Sequence, residues 1–188
     1  MKKEIRLTTD FSTIQKRVLD VLNNKDYRYY FCKGNRFDPK WLEVDNTGLN
    51  NLSFDFVVDN EDIGFYQVDI DRDHNTCEGA GFMIYPEHRG KGYAKEFLNF
   101  CVNFVLAERG FRKFSLETAV DNSPMMKTIL SLGFTCVGTK KLHKRLLNGE
   151  YVDMTYFEMM KEDWEKQGQG SLMAPAASLP LVQKIGFV

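Results

Sequence analysis

The chain has 188 residues, 43% of them hydrophobic and 27% charged, which suits one globular domain with a sizeable core. A net charge of −1 supplies no global basic field, so neither nucleic acid nor an anionic membrane is an expected partner and charge recognition has to be local. Four cysteines, Cys32, Cys77, Cys101 and Cys136, stand far apart without a CxxC or a histidine pairing; that is neither a disulfide framework nor a zinc site, and no metal is expected.

Residues 3–9, KEIRLTT, alternate charged and apolar side chains and predict a first strand. Ile14, Val18, Leu19 and Leu22 then recur at helical spacing behind Asp10 as a plausible N-cap. Residues 26–44 mix aromatic and charged side chains without a period and read as irregular, with a short helix over 39–44. Residues 53–60 and 64–73 predict an antiparallel hairpin across EDIG, and residues 78–87 a strand whose apolar centre suggests burial on both faces.

Residues 93–109 give the clearest helix, with Phe97, Phe100, Cys101, Phe104 and Val105 as its apolar stripe and Gly110 as its exit. A strand over 111–120 follows. A short helix comes next, with Ser123 as N-cap, Pro124 at the first helical position and Gly133 after its end. Strands over 134–145 and 150–159 flank Asn148-Gly149, a strong hairpin signal. Cys101, on the helix, and Cys136, in a strand pattern, are expected to be reduced core thiols. The N-terminus shows no apolar leader and no run approaches the ~18 apolar residues of a membrane span, so a cytoplasmic protein is the expectation. Residues 1–166 are expected to form one domain. Residues 167–188, rich in Gly, Ala, Ser and Pro, are expected to be a flexible or appended tail. The order of elements predicts an α+β domain in which a strand, a glycine turn, a helix and the next strand form one parallel βαβ unit.

That glycine turn, HRGKGYAKEF from His88, carries the chemistry. Main-chain N–H groups near Gly90, Lys91, Gly92, Tyr93 and Ala94 have no acceptor within the helix they open, and they lie at the positive end of its dipole. Such donors form an anion site, to which Arg89 and Lys91 can add charge-assisted bonds. The turn is neither GxGxxG nor GxxxxGK[ST], which argues against a dinucleotide fold or a P-loop nucleotide site. His88 is expected to be a solvated loop histidine.

The run Arg89-Gly90-Lys91-Gly92-Tyr93-Ala94 matches the acyl-CoA pyrophosphate loop R/Q-x-x-G-x-G/A, and Asn122 with Gly133-Phe134 matches a second motif. With the closing hairpin over 138–164, the chain resembles the GNAT acetyltransferase superfamily, in the branch of ribosomal-protein N-terminal and spermidine acetyltransferases. The resemblance implies a mixed, mostly antiparallel sheet with a central parallel pair of strands that splay, flanked by helices. It implies that Phe82, Met83 and Ile84 offer a backbone edge to the pantetheine arm of acetyl-CoA, with an oxyanion donor near Met83, and that the Asn122 amide meets a pantetheine carbonyl; helix capping is the other reading of Asn122. Glu117 is the implied catalytic base, although an edge ion pair fits that residue as well. Where the family often carries a tyrosine acid this chain has Ile129, which leaves Tyr151, Tyr156 and Ser131 as unranked donors.

The activity implied is direct transfer of an acetyl group from acetyl-CoA to a primary amine: a protein N-terminus, an amino sugar or a small-molecule amine. A catalytically degenerate acyl-CoA-binding regulatory module is the alternative, and a homodimer stays open. Tyr27, Tyr29 and Tyr30 would line the acceptor cleft. A basic group, Lys140, Lys141, Lys144 and Arg145, is expected to be a solvated face, while acidic residues at 61–73 would favour a cationic acceptor.

Overall fold

The computed structural model describes residues 2–7, 51–146 and 149–168. The first expected helix, the aromatic segment with Tyr27, Tyr29 and Tyr30, and the tail from residue 169 lie outside the described residues. Strand β1 spans Lys3–Leu7, β2 Asn51–Val58, β3 Glu61–Asp71 and β4 Thr76–Ile84. A single 3₁₀ turn, Pro86–His88, leads into helix α1, Tyr93–Asn103. Strand β5 spans Lys113–Ala119, helix α2 Ser123–Ser131, strands β6 and β7 Thr135–Arg145 and Tyr151–Met160, and helix α3 Lys161–Lys166.

The strands form one seven-stranded sheet in the order β1-β2-β3-β4-β5-β7-β6. Every neighbouring pair is antiparallel except β4 and β5. This is the mixed sheet with a central parallel pair that the sequence implied. The β2–β3 turn is tighter than expected: Asp59 and Asn60, at φ 48° and 70°, make a two-residue turn, and EDIG belongs to β3. Asn and Asp tolerate that left-handed backbone better than most residues, and its twist matches the flanking strands.

Helices α1 and α2 cover one face of the sheet. Phe56 stacks on Phe97 at 4.4 Å between ring centroids, Phe54 meets Phe104 edge-on at 5.4 Å, and Phe114 meets Phe134 at 6.0 Å. The α-helix ends at Asn103 rather than Arg109, because the chain widens into a π turn over Phe104–Glu108 in which the Arg109 N–H donates to the Phe104 carbonyl. Phe97, Cys101 and Val105 are buried as expected, while Phe100 sits at the margin of the stripe and is 46% exposed. Cys136 is exposed, not a core thiol, because β6 is the edge strand of the sheet. β4 is not buried on both faces either: Glu78 and Ala80 are exposed, since its neighbour β5 leaves it partway along.

That departure has a local cause. Gly81 pairs with Gln67 but Gly79 pairs with Val68, so Ala80 is an extra residue, a bulge in β4. The parallel ladder runs only from Thr76↔Lys113 to Gly79↔Leu116. At its last rung a Cβ on Gly79 would lie 2.0 Å from the Tyr66 hydroxyl and 3.2 Å from the Leu116 Cβ. Gly79→Ala is expected to destabilise the fold by about 1–3 kcal/mol through overpacking, measured by urea unfolding, with Tyr66→Phe recovering part of the loss.

Candidate active site

Beyond Gly79 and Leu116 the two parallel strands diverge: β4 continues against β3, and β5 continues against β7. The Tyr85 N–H donates to the Ile63 carbonyl at 2.9 Å. Because hydrogen-bonded and non-bonded pairs alternate along an antiparallel ladder, Met83 (opposite Phe65) also turns its backbone toward β3. The backbone groups of Phe82 and Ile84 then point into the gap that β5 has left. The Ile84 carbonyl is taken there by Arg89, whose Nε donates to it at 2.9 Å. Among the described residues the main-chain edge that faces the gap is therefore centred on Phe82, next to Met83, near which the family likeness places the oxyanion donor.

The gap opens toward the glycine turn. Gly90 and Gly92 have φ 75° and 81°, and Gly92 is the left-handed N-cap of α1. A Cβ at either would meet nothing within 4 Å, so the glycines are there for backbone conformation, and the space above them is open. Among the described residues, the N–H groups of Gly90, Lys91 and Gly92 donate to no backbone carbonyl. Arg89 and Lys91 are exposed beside them. Tyr93 and Ala94 form the first turn of α1; the Tyr93 ring is buried against Phe97, and Ala94 packs on the core. Lys3, on the distant strand β1, pairs with Glu96 and lies 5.7 Å from the centre of the Tyr93 ring. It brings a further cation to this turn that no local sequence signal indicates. His88 is buried rather than solvated, its Nε2 3.5 Å from a Glu61 carboxylate oxygen, because the 3₁₀ turn folds it back onto the start of β3.

Asn122 both caps and bridges. Its Oδ1 accepts from the Met125 N–H and its Nδ2 donates to the Thr118 hydroxyl at 3.2 Å. It is the N-cap of α2, so the helix begins one residue earlier than expected and Ser123 lies inside it. Ile129 is fully buried in the same helix, facing the core.

Glu117 is the first residue of β5 past the last rung shared with β4. It faces away from α1 and α2, as do Tyr156 opposite it on β7 and the cross-strand set Asp69, Glu78 and Ser115. The Glu117 side chain is 11% exposed; its Oε1 is 2.5 Å from the Lys144 Nζ. The other oxygen, Oε2, is shielded from solvent and accepts no hydrogen bond among the described residues. Burial, and then the neighbouring Glu117 carboxylate, push the Tyr156 hydroxyl far above its usual range, so it remains a proton-bearing donor. Of the three open donors, Tyr156 alone stands beside Glu117: Tyr151 lies exposed at the far end of β7, and the Ser131 hydroxyl donates to the Thr128 carbonyl.

Desolvation and the nearby carboxylates Glu117 and Asp69 raise the Glu78 carboxyl, and together they outweigh the opposing effect of Lys144 and Lys140. The basic group on β6 therefore does turn partly inward: Lys144 meets Glu117, and the Lys140 Nζ sits 4.0 Å from the centre of the Tyr156 ring. The meeting of Tyr156 and Lys144 with Glu117 escapes a reading of the sequence because β7 inserts between β5 and β6, and the matched alternation of the two strands is the clue to it.

Known proteins share this fold. The model of the acetyltransferase (GNAT) family matches residues 19–134. The SPbeta prophage-derived uncharacterized N-acetyltransferase YokL of Bacillus subtilis (strain 168) is 28% identical over 151 residues, covering 78% of this chain and 81% of the relative. N-alpha-acetyltransferase 30 of Schizosaccharomyces pombe is 30% identical over 138 residues, covering 72% and 81%. A solved spermidine N-acetyltransferase from Vibrio cholerae, in complex with CoA and spermine, superposes with a TM-score of 0.72 at 21% identity, over 87% of this chain and 98% of that one. All three are acetyltransferases by name, and none supports a non-catalytic module. Gly92→Glu, which puts bulk and negative charge over the open donors, is expected to abolish acetyl-CoA binding in a calorimetric titration; retained micromolar affinity would contradict the role of the loop.

Proposed function

Because the chain belongs to the GNAT acetyltransferase family and moves acetyl groups from acetyl-CoA to amines, we propose that transfer occurs where β4 and β5 part, with Glu117 as base and a small cationic primary amine as acceptor. The observation that carries this reading is the shielded Glu117 Oε2, a carboxylate oxygen at the mouth of the gap that accepts no hydrogen bond among the described residues. A buried acceptor of hydrogen bonds without a donor is costly, and a proton-bearing substrate amine is the group that would relieve it.

The diphosphate of acetyl-CoA then rests on the N–H groups of Gly90, Lys91, Gly92, Tyr93 and Ala94, with Arg89 and Lys91 adding charge. The pantetheine arm runs along the Phe82 edge of β4 between Met83 and Ile84 and the diverging β5, in the manner of an added strand. The second amide hydrogen of Asn122 is available to a pantetheine carbonyl. Glu117 takes a proton from the incoming ammonium, directly or through one water, and the neutral nitrogen attacks the thioester carbonyl carbon. The Phe82 N–H meets the developing oxyanion, the C–S bond breaks, and the Tyr156 hydroxyl passes its proton to the departing thiolate while taking up the proton that the attacking nitrogen sheds.

No covalent acyl-enzyme is called for. Burial pushes the Cys77 thiol up to about 12 and holds the Cys101 thiol well above its usual range, while Cys136 lies on the far edge strand. These buried free thiols suit a reducing, cytoplasmic setting. Among the described residues no helix is long and apolar enough to cross a membrane.

Cationic acceptors are favoured by the negative charge of Asp69, Glu78 and Glu117 at the mouth; burial first, and then the other two carboxylates, raise Glu78 despite two lysines. The Vibrio cholerae neighbour solved with CoA and spermine is consistent with that choice. Glu117→Gln is expected to lower kcat by about 10²–10⁴-fold with little change in acetyl-CoA affinity, read by CoA release on a panel of amines. Normal turnover in that variant would leave Glu117 an ion-pair residue only. With wild-type enzyme, KM for a cationic acceptor should rise as pH falls through the raised Glu78 titration, above the ordinary glutamate range, because protonation removes a negative charge. Glu78→Gln should flatten that limb; an unchanged profile would place the acceptor elsewhere.

A further inference from the structure

We propose that Lys144 is itself an acetyl acceptor, so that the enzyme, loaded with acetyl-CoA and given no external amine, acetylates its own Lys144. This rests on Glu117 being the base. The Lys144 ammonium stands 2.5 Å from the Glu117 Oε1, where the proton-transfer chemistry requires an acceptor amine to stand. Its side chain is 40% exposed while that of Glu117 is 11% exposed, so a partly solvated amine reaches into a dry base. Chemically it is a primary ammonium on four methylenes, the same end that a linear polyamine presents.

This placement is built into β6 rather than left to a drifting surface lysine. Lys140 pairs with Met154 but Lys144 pairs with Val152, so two extra residues bulge from β6 between them. At the bulge Leu142 adopts φ 46°, a left-handed backbone that its side chain disfavours, and leaves that side chain 66% exposed. The Asp153 Oδ1 holds it by accepting the Leu142 N–H at 2.7 Å. In unbroken register Lys144 would fall opposite Glu150, past the end of β7; the bulge draws it back toward Glu117. Lys140, four residues earlier, lies over the Tyr156 ring instead and pairs with no carboxylate among the described residues.

The step balances without a further reactant. Glu117 accepts one proton from the Lys144 ammonium, a bond forms between Nζ and the acetyl carbon, and the thioester C–S bond breaks. The thiolate leaves as CoA thiol after taking a proton, the amide nitrogen keeps one, and the proton on Glu117 passes to solvent. Nothing is oxidised or reduced.

The test uses the full chain, freed of prior acetylation and incubated with acetyl-CoA alone, then digested and mapped by tandem mass spectrometry over time. Lys144 should gain an acetyl group at least about tenfold faster than Lys140 or Lys141, as expected for a prealigned amine. Heat-denatured protein should lose the preference. Lys144→Arg should show no acetylation at that position, and Glu117→Gln should slow it by the same factor as transfer to an external amine. Modification of Lys144 no faster than its neighbours, or equally fast after denaturation, would overturn the proposal. Glu117-dependent transfer to external amines with Lys144 untouched would overturn self-acetylation and leave the base assignment standing. External transfer unaffected by Glu117→Gln would overturn the base itself.

Discussion

The parting of β4 from β5 is the constraint on which the rest of the molecule depends. A parallel ladder normally uses both edges of each strand, but here pairing ends at Gly79 and Leu116. The bulge at Ala80 turns β4 away, and β7, inserted beside β5, holds the other strand in place. Each side keeps its own partner, so the gap does not collapse. Tyr66 closes it from below: its hydroxyl approaches Gly79 so closely that no other residue fits that rung without displacement.

From the gap follow both halves of the site. A strand edge without a protein partner leaves main-chain groups that must find hydrogen bonds elsewhere. Arg89 takes one of them, the Ile84 carbonyl, and in doing so folds the start of the glycine turn over the end of β4. The turn then delivers, at the end of the same gap, the Gly90, Lys91 and Gly92 N–H groups that donate to no backbone carbonyl among the described residues. One long ligand carrying amide groups and a diphosphate matches both sets of donors at once. On the opposite side of the sheet from α1 and α2, the same divergence leaves Glu117 with a neighbour on β7 but none on β4. That is why one of its oxygens accepts no hydrogen bond among the described residues.

Much of this was legible in the sequence, for reasons specific to particular residues. Gly90 and Gly92 announced a left-handed turn ahead of α1 because their backbone needs are extreme, and Pro124 with Gly133 bracketed α2 to within one residue, the cap being Asn122 where Ser123 was expected. The edges of elements were less readable. Asp59-Asn60 made the β2–β3 turn where EDIG was expected, and a π turn ended α1 early. Long-range placement was not readable at all. The strand pattern around Cys136 predicts a core residue, because such a pattern does not reveal that its strand lies at the edge. The loop setting of His88 predicts a solvated residue, because nothing near it in sequence shows Glu61 across the turn. Lys144 belongs to the same class: its meeting with Glu117 requires the β7 insertion and the Leu142 bulge, and no local pattern encodes either.

The most direct test of the account is residue-resolved amide hydrogen exchange by NMR, with and without coenzyme A. The Phe82 amide, turned into the gap, is predicted to exchange quickly in the free protein and to become protected on binding. The Met83 amide, already paired with β3, is predicted to be slow in both states. A Phe82 amide indifferent to saturating coenzyme A would contradict the claim that the space between β4 and β5 is the seat of the acyl carrier.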